Sequence, residues 1–378
     1  MESTSAPLTP SQTLDRLYLA TRPLHATDHL PKLRKQSIQL CLSDQSVRST
    51  SHLLPHKMHL PPLDVAVYPV VTLGQGGHGG SLIHPSSRSS ASSSSTASFQ
   101  NSLGTPDFSS IQRVIQKTFR SSRIVVQQVE RIQGRFHQVY LARLADGNAL
   151  VLKCPPNQSI RALRHEKNSL ETERKTLETL HEYTQLPVPQ VLKFDNHGGS
   201  FGSPFLLTSY ISGRTLSELA PYLSSYQRTI IERTLGSYVR TLSALSATQF
   251  GTTNRVFAKK GSNSWRDAFL ALLESALRDS EDMLVTVPYD SIRYYVERHS
   301  HFLNEVTEPR LVALNVCDPQ NVLIDEHSKQ VSGLVGFSNV IWGDPLMSGG
   351  IAGGSDAFFE GFGERPSQSM GVQARLLM

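Results

Sequence analysis

The sequence predicts an α+β fold in two parts, an antiparallel sheet with a helix followed by a mostly helical segment. Three observations predict it. Short runs rich in Val, Ile and Leu, broken by turn signals, crowd the stretch after Ser122. Long segments free of Pro and Gly, with apolar residues three and four apart, follow them. Near the C-terminal end a polar turn separates two alternating runs, as in a hairpin.

Taken in order, IVVQQVERI, FHQVYLARL and NALVLKC read as three antiparallel strands separated by GR and by the ADGN turn signal. Residues 160–183 are charged and carry Leu163, Leu170, Leu177 and Leu180 at helical intervals, which predicts one long helix or two. LPVPQVLKFD reads as a Pro-fixed connector and strand, and PFLLTSYISG as an apolar strand ending at Gly213. Between 226 and 248 the residues Ile231, Leu235, Tyr238, Val239, Leu242 and Leu245 form one apolar stripe. Trp265, Phe269, Leu272, Leu273 and Leu277 form another, and both read as bundle core. QNVLIDEHSKQVSGLVGF alternates as a hairpin with its polar turn at 325–329.

Composition sets the outer bounds. The 378 residues are 38% hydrophobic and 18% charged. Both figures fall below the averages of about 45–50% and about 25% for globular chains, so part of the length is expected not to fold. That part is residues 1–110, which mix short apolar fragments with Pro, His and Ser and, between Pro85 and Ser102, read PSSRSSASSSSTASFQNS. The net charge of +5 is spread thinly, which argues against a dedicated nucleic-acid surface. Cys41, Cys154 and Cys317 are far apart and odd in number, so neither a disulfide framework nor a zinc site is implied, and a reducing, cytoplasmic setting fits. No run approaches the length of a membrane span, and the N-terminus has no export signal.

Several motifs are read as carrying no chemistry. Gly74, Gly76 and Gly79 match G-x-G-x-x-G, but a Ser-rich stretch follows where a dinucleotide site needs a helix and an acidic residue, so the glycines read as linker. Lys32, Arg34 and Lys35 read as solvated charge. His181 lacks the second histidine of H-E-x-x-H, and His299 and His301 lack a third ligand at sensible spacing. No G-x-S-x-G elbow or Walker A loop occurs.

The order of the remaining elements is informative. Three strands with Lys153 on the third, a helix with a glutamate, an apolar hinge strand, helices and an N-V-L-I hairpin make the order of a two-lobed protein-kinase-like fold. From about residue 124 onward the chain resembles the aminoglycoside phosphotransferase and choline kinase family of small-molecule kinases. The resemblance implies a sheet-and-helix lobe with its hinge at 111–211 and a helical lobe at 212–378. It also implies ATP, Mg²⁺ and a small-molecule hydroxyl acceptor as ligands. Lys153, ending ALVLK, matches the strand lysine that holds the nucleotide phosphates, and Glu173 in ERKTLETL matches its helix partner. Glu166, Glu171 and Glu178 lie in range of other registers. Ser209, Tyr210 and Ile211 match the hinge whose backbone meets the adenine. Gly134 could bring the first turn toward phosphate, or could simply make a hairpin turn.

At the reacting end the sequence departs from the family. Phosphoryl transfer needs cations on the phosphates, a metal held by oxygen ligands and a carboxylate that orients the acceptor. Aligned on Pro319 and Asn321, LVALNVCDPQNVLID puts Val316 where the family's H-G-D-x-x-P-x-N run carries its aspartate. LVGFSNV puts Gly336 where the I-D-F metal aspartate belongs. Asn321 is then the one metal ligand in place, and metal binding is in doubt. The expected product is a catalytically impaired relative, a pseudokinase that retains some nucleotide binding. Two alternatives stand beside it: an active kinase in which Asp318 or Asp325 substitutes, and a non-catalytic interaction protein. Asp344 in WGDP reads as a structural carboxylate tying the following loop. The family continues with further helices beyond this motif, so the C-terminal lobe is expected to be short.

Overall fold

The structure is a computed structural model that describes residues 107–378, apart from 133, 135 and 157–159. The linker glycines, the basic cluster, Cys41 and most of the Ser-rich segment lie outside the described residues.

The chain first forms helix α1 (Phe108–Phe119), whose N-cap Asp107 accepts from the Ser110 amide at 2.9 Å. Ile111, Val114 and Ile115, three and four apart, bury one side of it against the sheet. Strands β1 (Val126–Ile132), β2 (Gln138–Leu144) and β3 (Ala149–Cys154) then form the antiparallel meander that the three runs predict. Alternation sorts their side chains. Tyr140, Ala142, Leu144, Leu150, Leu152 and Cys154 are buried beneath α1, while Val139, Leu141, Val151 and Lys153 line a cleft on the opposite face.

Helix α2 (Ser169–Tyr183) is shorter at its start than the pattern predicts. Asn168 takes a left-handed φ of 61°, and before it Arg164–Glu166 makes a single tight turn instead of continuing a helix from residue 160. That turn is held by a distant partner. The Arg164 amide and guanidinium donate to the two carboxylate oxygens of Asp279 at 2.8 and 2.6 Å, tying this lobe to the next. Strands β4 (Val191–Asp195) and β5 (Phe205–Ser209) complete an antiparallel sheet in the order β1-β2-β3-β5-β4.

The second lobe opens with β6 (Arg214–Thr215) and α3 (Leu216–Leu219). Helix α4 (Ser225–Ala244) follows, capped by Ser224, and buries Ile231, Leu235, Val239 and Leu242 of its predicted stripe. Next come β7 (Gly251–Thr252), α5 (Thr253–Phe257), α6 (Trp265–Asp282) and α7 (Tyr289–His299). Trp265, Phe269, Leu273 and Leu277 of α6 pack with Val296 of α7 into a separate core. Each such fully buried side chain contributes roughly 1.5–3 kcal/mol.

Strands β8 (Arg310–Ala313), β9 (Val322–Ile324), β10 (Val331–Leu334) and β11 (Val340–Gly343) form two small sheets, β10-β9-β6 and β7-β11-β8. The β9–β10 pair is the predicted hairpin, its turn closed by Asp325, which accepts from the amides of His327 and Ser328. Helices α8 (Asp356–Phe362) and α9 (Met370–Leu377) end the chain, α8 packing Phe358 and Phe359 into the core of α4. No helix among the described residues is long and apolar enough to cross a membrane.

Candidate functional site

Between the sheet and the β9–β10 hairpin lies a cleft of about 410 Å³. Its roof is the inner face of β1 to β3, its floor is Leu323 and Val335, and its back wall is the start of α2. It gathers Lys153, Glu173, Gly134, Ser209, Tyr210, Ile211, Asn321 and Gly336. Val316 and Asp318 are not among its lining residues.

Lys153 reaches the cleft because Leu152 and Cys154 on either side of it are committed to the core under α1. Its Nζ lies 2.5 Å from Glu173 Oε1, and the two side chains are 13% and 2% exposed. The glutamates that offered other registers are engaged elsewhere: on the helix Glu171 pairs with Lys175 and Glu178 with Arg174, and in the turn before it Glu166 accepts from the Leu163 amide. Glu173 Oε2 is buried and has no hydrogen-bond partner among the described residues, so the carboxylate depends on Lys153 for its compensation.

Sequence reasoning missed His137, which sits beside this pair. Its ring is buried and its Nε2 shares a 2.7 Å hydrogen bond with Ser169 Oγ, the first residue of α2. Burial pushes the imidazole down to about 4, the nearby Glu173 opposing and Lys153 reinforcing the shift. The signal was the period-two pattern, which places His137 on the same strand face as Val139. Gly134 belongs to the same turn. A Cβ there would lie 2.3 Å from the His137 carbonyl oxygen, so the loop folds tightly back onto its own strand, and only glycine fits.

The hinge follows β5. Ser209 still belongs to the sheet, its amide donating to the Gln190 carbonyl at 2.9 Å. Among the described residues, the backbone groups of Tyr210 and Ile211 make no hydrogen bond, although both residues line the cleft. Backbone polar groups left open in this way are available to a ligand.

The loop from Leu314 to Asn321 is a compact turn. The Asn315 carbonyl accepts from the Asp318 amide at 3.1 Å and from Asn321 Nδ2 at 2.9 Å, which fixes the Asn321 carboxamide. Val316 is 3% exposed and packs with Leu311, Val322 and Phe337 in the C-terminal core. Asp318 accepts from the Gln320 amide at 3.0 Å, and Asp325 is held in the hairpin turn. Neither lines the cleft. Gly336 has φ +84°, and a Cβ on it would lie 2.5 Å from Asn321 Oδ1.

These residues do not fit Mg²⁺. That ion takes near-octahedral oxygen ligation through one or two carboxylates besides phosphate. An aliphatic side chain at Val316 and none at Gly336 leave the Asn321 carboxamide, already fixed by the loop. Among the described residues, no group of three or more His, Cys, Asp or Glu side chains is placed to hold a metal.

Asp344 ties the following loop, its Oδ1 accepting from the Leu346 amide at 3.0 Å. Its second oxygen accepts from Arg375 Nε at 2.9 Å, so the same carboxylate anchors α9, a partner the sequence did not mark. His181 and His299 hydrogen-bond the carbonyls of Pro189 and Tyr295 and serve as structural groups.

No curated protein matches the chain. Among solved structures, the chain is similar to aminoglycoside phosphotransferase APH(4)-Ia at 15% identity and TM-score 0.45, over 65% of this chain and 75% of that one. It is similar to macrolide 2'-phosphotransferase MphH from Brachybacterium faecium at 17% identity and TM-score 0.43, over 70% and 87%. It is also similar to APH(2")-IIa, solved as a ternary complex with streptomycin and ATP, at 14% identity and TM-score 0.46, over 71% and 86%. The model of the phosphotransferase enzyme family (APH) matches residues 128–372. The match takes in both lobes and the cleft between them, and the chain belongs to that phosphotransferase family, with its two-lobed protein-kinase-like fold.

Proposed function

We propose that this chain is a catalytically impaired phosphotransferase, a pseudokinase that keeps an adenine-nucleotide cleft and does not transfer phosphate. One observation carries the reading. At the two positions where the family places its base and its metal aspartate, Val316 is packed into the core and Gly336 has no side chain. Loss of a general base alone costs about 10²–10⁴ in rate. Without a metal ligand the charge on the transferring phosphoryl group is left unneutralised as well.

Retention of the cleft is supported by the Lys153–Glu173 pair and by the open hinge backbone at Tyr210 and Ile211. In this reading Ser209 to Ile211 meet the base, and Lys153 faces the sugar-phosphate end. An active kinase that substitutes Asp318 or Asp325 draws no support from their placement, since both are used in turns outside the cleft.

The test is a paired measurement on the full chain. Thermal shift with adenine nucleotides should report binding, and phosphate transfer from ATP with Mg²⁺ to hydroxyl acceptors should stay at the level of buffer. ATP-dependent turnover that disappears in a folded Lys153→Ala variant would overturn the reading.

A further inference from the structure

A second cavity, of about 60 Å³, adjoins the cleft. Helix α6 contributes Phe269, Leu272 and Leu273 to its wall, and Leu314, Ile341 and Met347 contribute most of the rest. No Asp, Glu, Lys or Arg lines it among the described residues. Leu272, Leu314 and Met347 are only half-buried, so apolar surface is left open here although the core around it is filled. Such a space suits an uncharged apolar group and offers nothing to a polycation or a phosphate.

The edge shared with the cleft is polar. Ser338 and Asn339 line both spaces, and neither side chain makes a hydrogen bond among the described residues. Asn315, next to Leu314 in the chain, lines the cleft beside them. Its backbone carbonyl holds the loop by accepting from the Asp318 amide and Asn321 Nδ2, but its side-chain Oδ1 is buried and has no partner. A buried acceptor of this kind calls for a donor. In the register set by Pro319 and Asn321, Leu314 and Asn315 stand at the histidine and glycine of the H-G-D run, so the apolar wall and the open acceptor are particular to this chain. Apolar lining with a few convergent polar groups is the make-up of a small-molecule site.

We propose that the cavity and the adjoining edge of the cleft bind a small neutral alcohol. At about 10–15 Å³ for each water-sized position, the cavity holds a branched alkyl group of about four or five carbons. The hydroxyl then lies at the shared edge, where it donates to Asn315 Oδ1 and accepts from Ser338 or Asn339. The inference goes beyond the nucleotide reading and requires neither nucleotide nor metal.

The experiment is methyl-resolved NMR titration of the full chain with 3-methylbutan-1-ol, its methyl ether and glycerol. The alcohol should shift the methyl resonances of Leu272, Leu314 and Met347. The ether cannot donate to Asn315 and should bind at least about five-fold more weakly. Glycerol has no alkyl group to bury and should also bind at least about five-fold more weakly. Asn315→Gly keeps the backbone carbonyl that holds the loop and should bring alcohol and ether to equal affinity. Ala276→Leu, which narrows the cavity from α6, should abolish the shifts. If either variant folds poorly, the ligand series on the unmodified chain decides. Shifts confined to other methyl groups, no shifts at all, or equal binding of alcohol and glycerol would overturn the proposal. The nucleotide reading has its own readout in the thermal shift with adenine nucleotides and stands or falls separately.

Discussion

Gly336 stands against the carboxamide of Asn321 so closely that a Cβ at 336 would lie 2.5 Å from Asn321 Oδ1. The same residue has φ +84°. Both facts require glycine. The two positions to which the family resemblance assigns a metal lie against each other, one as an amide and the other as bare backbone. Gly336→Ala is expected to lower stability by about 1–3 kcal/mol, the range for a non-glycine residue held in such a conformation. Urea unfolding measures it, and an unchanged midpoint would mean that the loop is not held in this conformation.

Lys153 and Glu173 form a buried pair with one carboxylate oxygen left unpartnered. Removing the lysine alone strands the carboxylate. Lys153→Ala should therefore cost about 3–5 kcal/mol, while Lys153→Met with Glu173→Leu should recover much of the loss. Denaturant midpoints of the single and double variants check this, and equal losses in both would contradict it.

His137 makes stability depend on pH. Its folded-state value, about 4, is depressed from the ordinary 6.5, because burial disfavours the charged ring. The unfolded chain therefore binds the proton first as pH falls. Stability from this group is complete above 6.5, declines between 6.5 and 4, and is lost below 4. The full contribution is on the order of 3 kcal/mol. Melting temperatures of the unmodified chain and His137→Gln across that window should differ in slope, the variant being flatter. Parallel curves would remove His137 as the cause.

Arg375 holds the last helix through Asp344, both side chains being nearly inaccessible. Burial pushes the Asp344 carboxyl up, against the opposing pull of the Leu346 amide and Arg375. Arg375→Ala leaves that carboxylate without its cation and should cost about 3–5 kcal/mol. Arg365→Ala removes an exposed pair with Asp356 and should cost no more than about 1 kcal/mol. Similar losses in the two variants would show that α9 is not anchored this way.

Much of the fold was legible because its signals are local. Period two in VLKC assigns Lys153 to one face and its neighbours to the other, and spacing of three and four in α4 marks Ile231, Leu235, Val239 and Leu242 as core. Motif register alone pointed to Val316 and Gly336. What escaped depends on distance in the chain. The break before α2 is fixed by Arg164 and Asp279, 115 residues apart, and the anchoring of α9 by a pair 31 residues apart. Helix α1 is different: its Asp107 cap and the Ile111, Val114, Ile115 spacing are local signals, but they follow closely on a Ser-rich run, and no helix was assigned there. The cavity-facing role of His137 needed Ser169, which no spacing connects to it.

In the function proposed above, the cleft holds nucleotide without transferring phosphate. The most direct measurement is phosphate transfer and release from ATP with Mg²⁺ by the purified full chain, with aminoglycoside and macrolide acceptors and with water alone. Rates should be indistinguishable from those without protein under every condition. ATP-dependent transfer that requires Mg²⁺ and falls away in Asn321→Ala would contradict it.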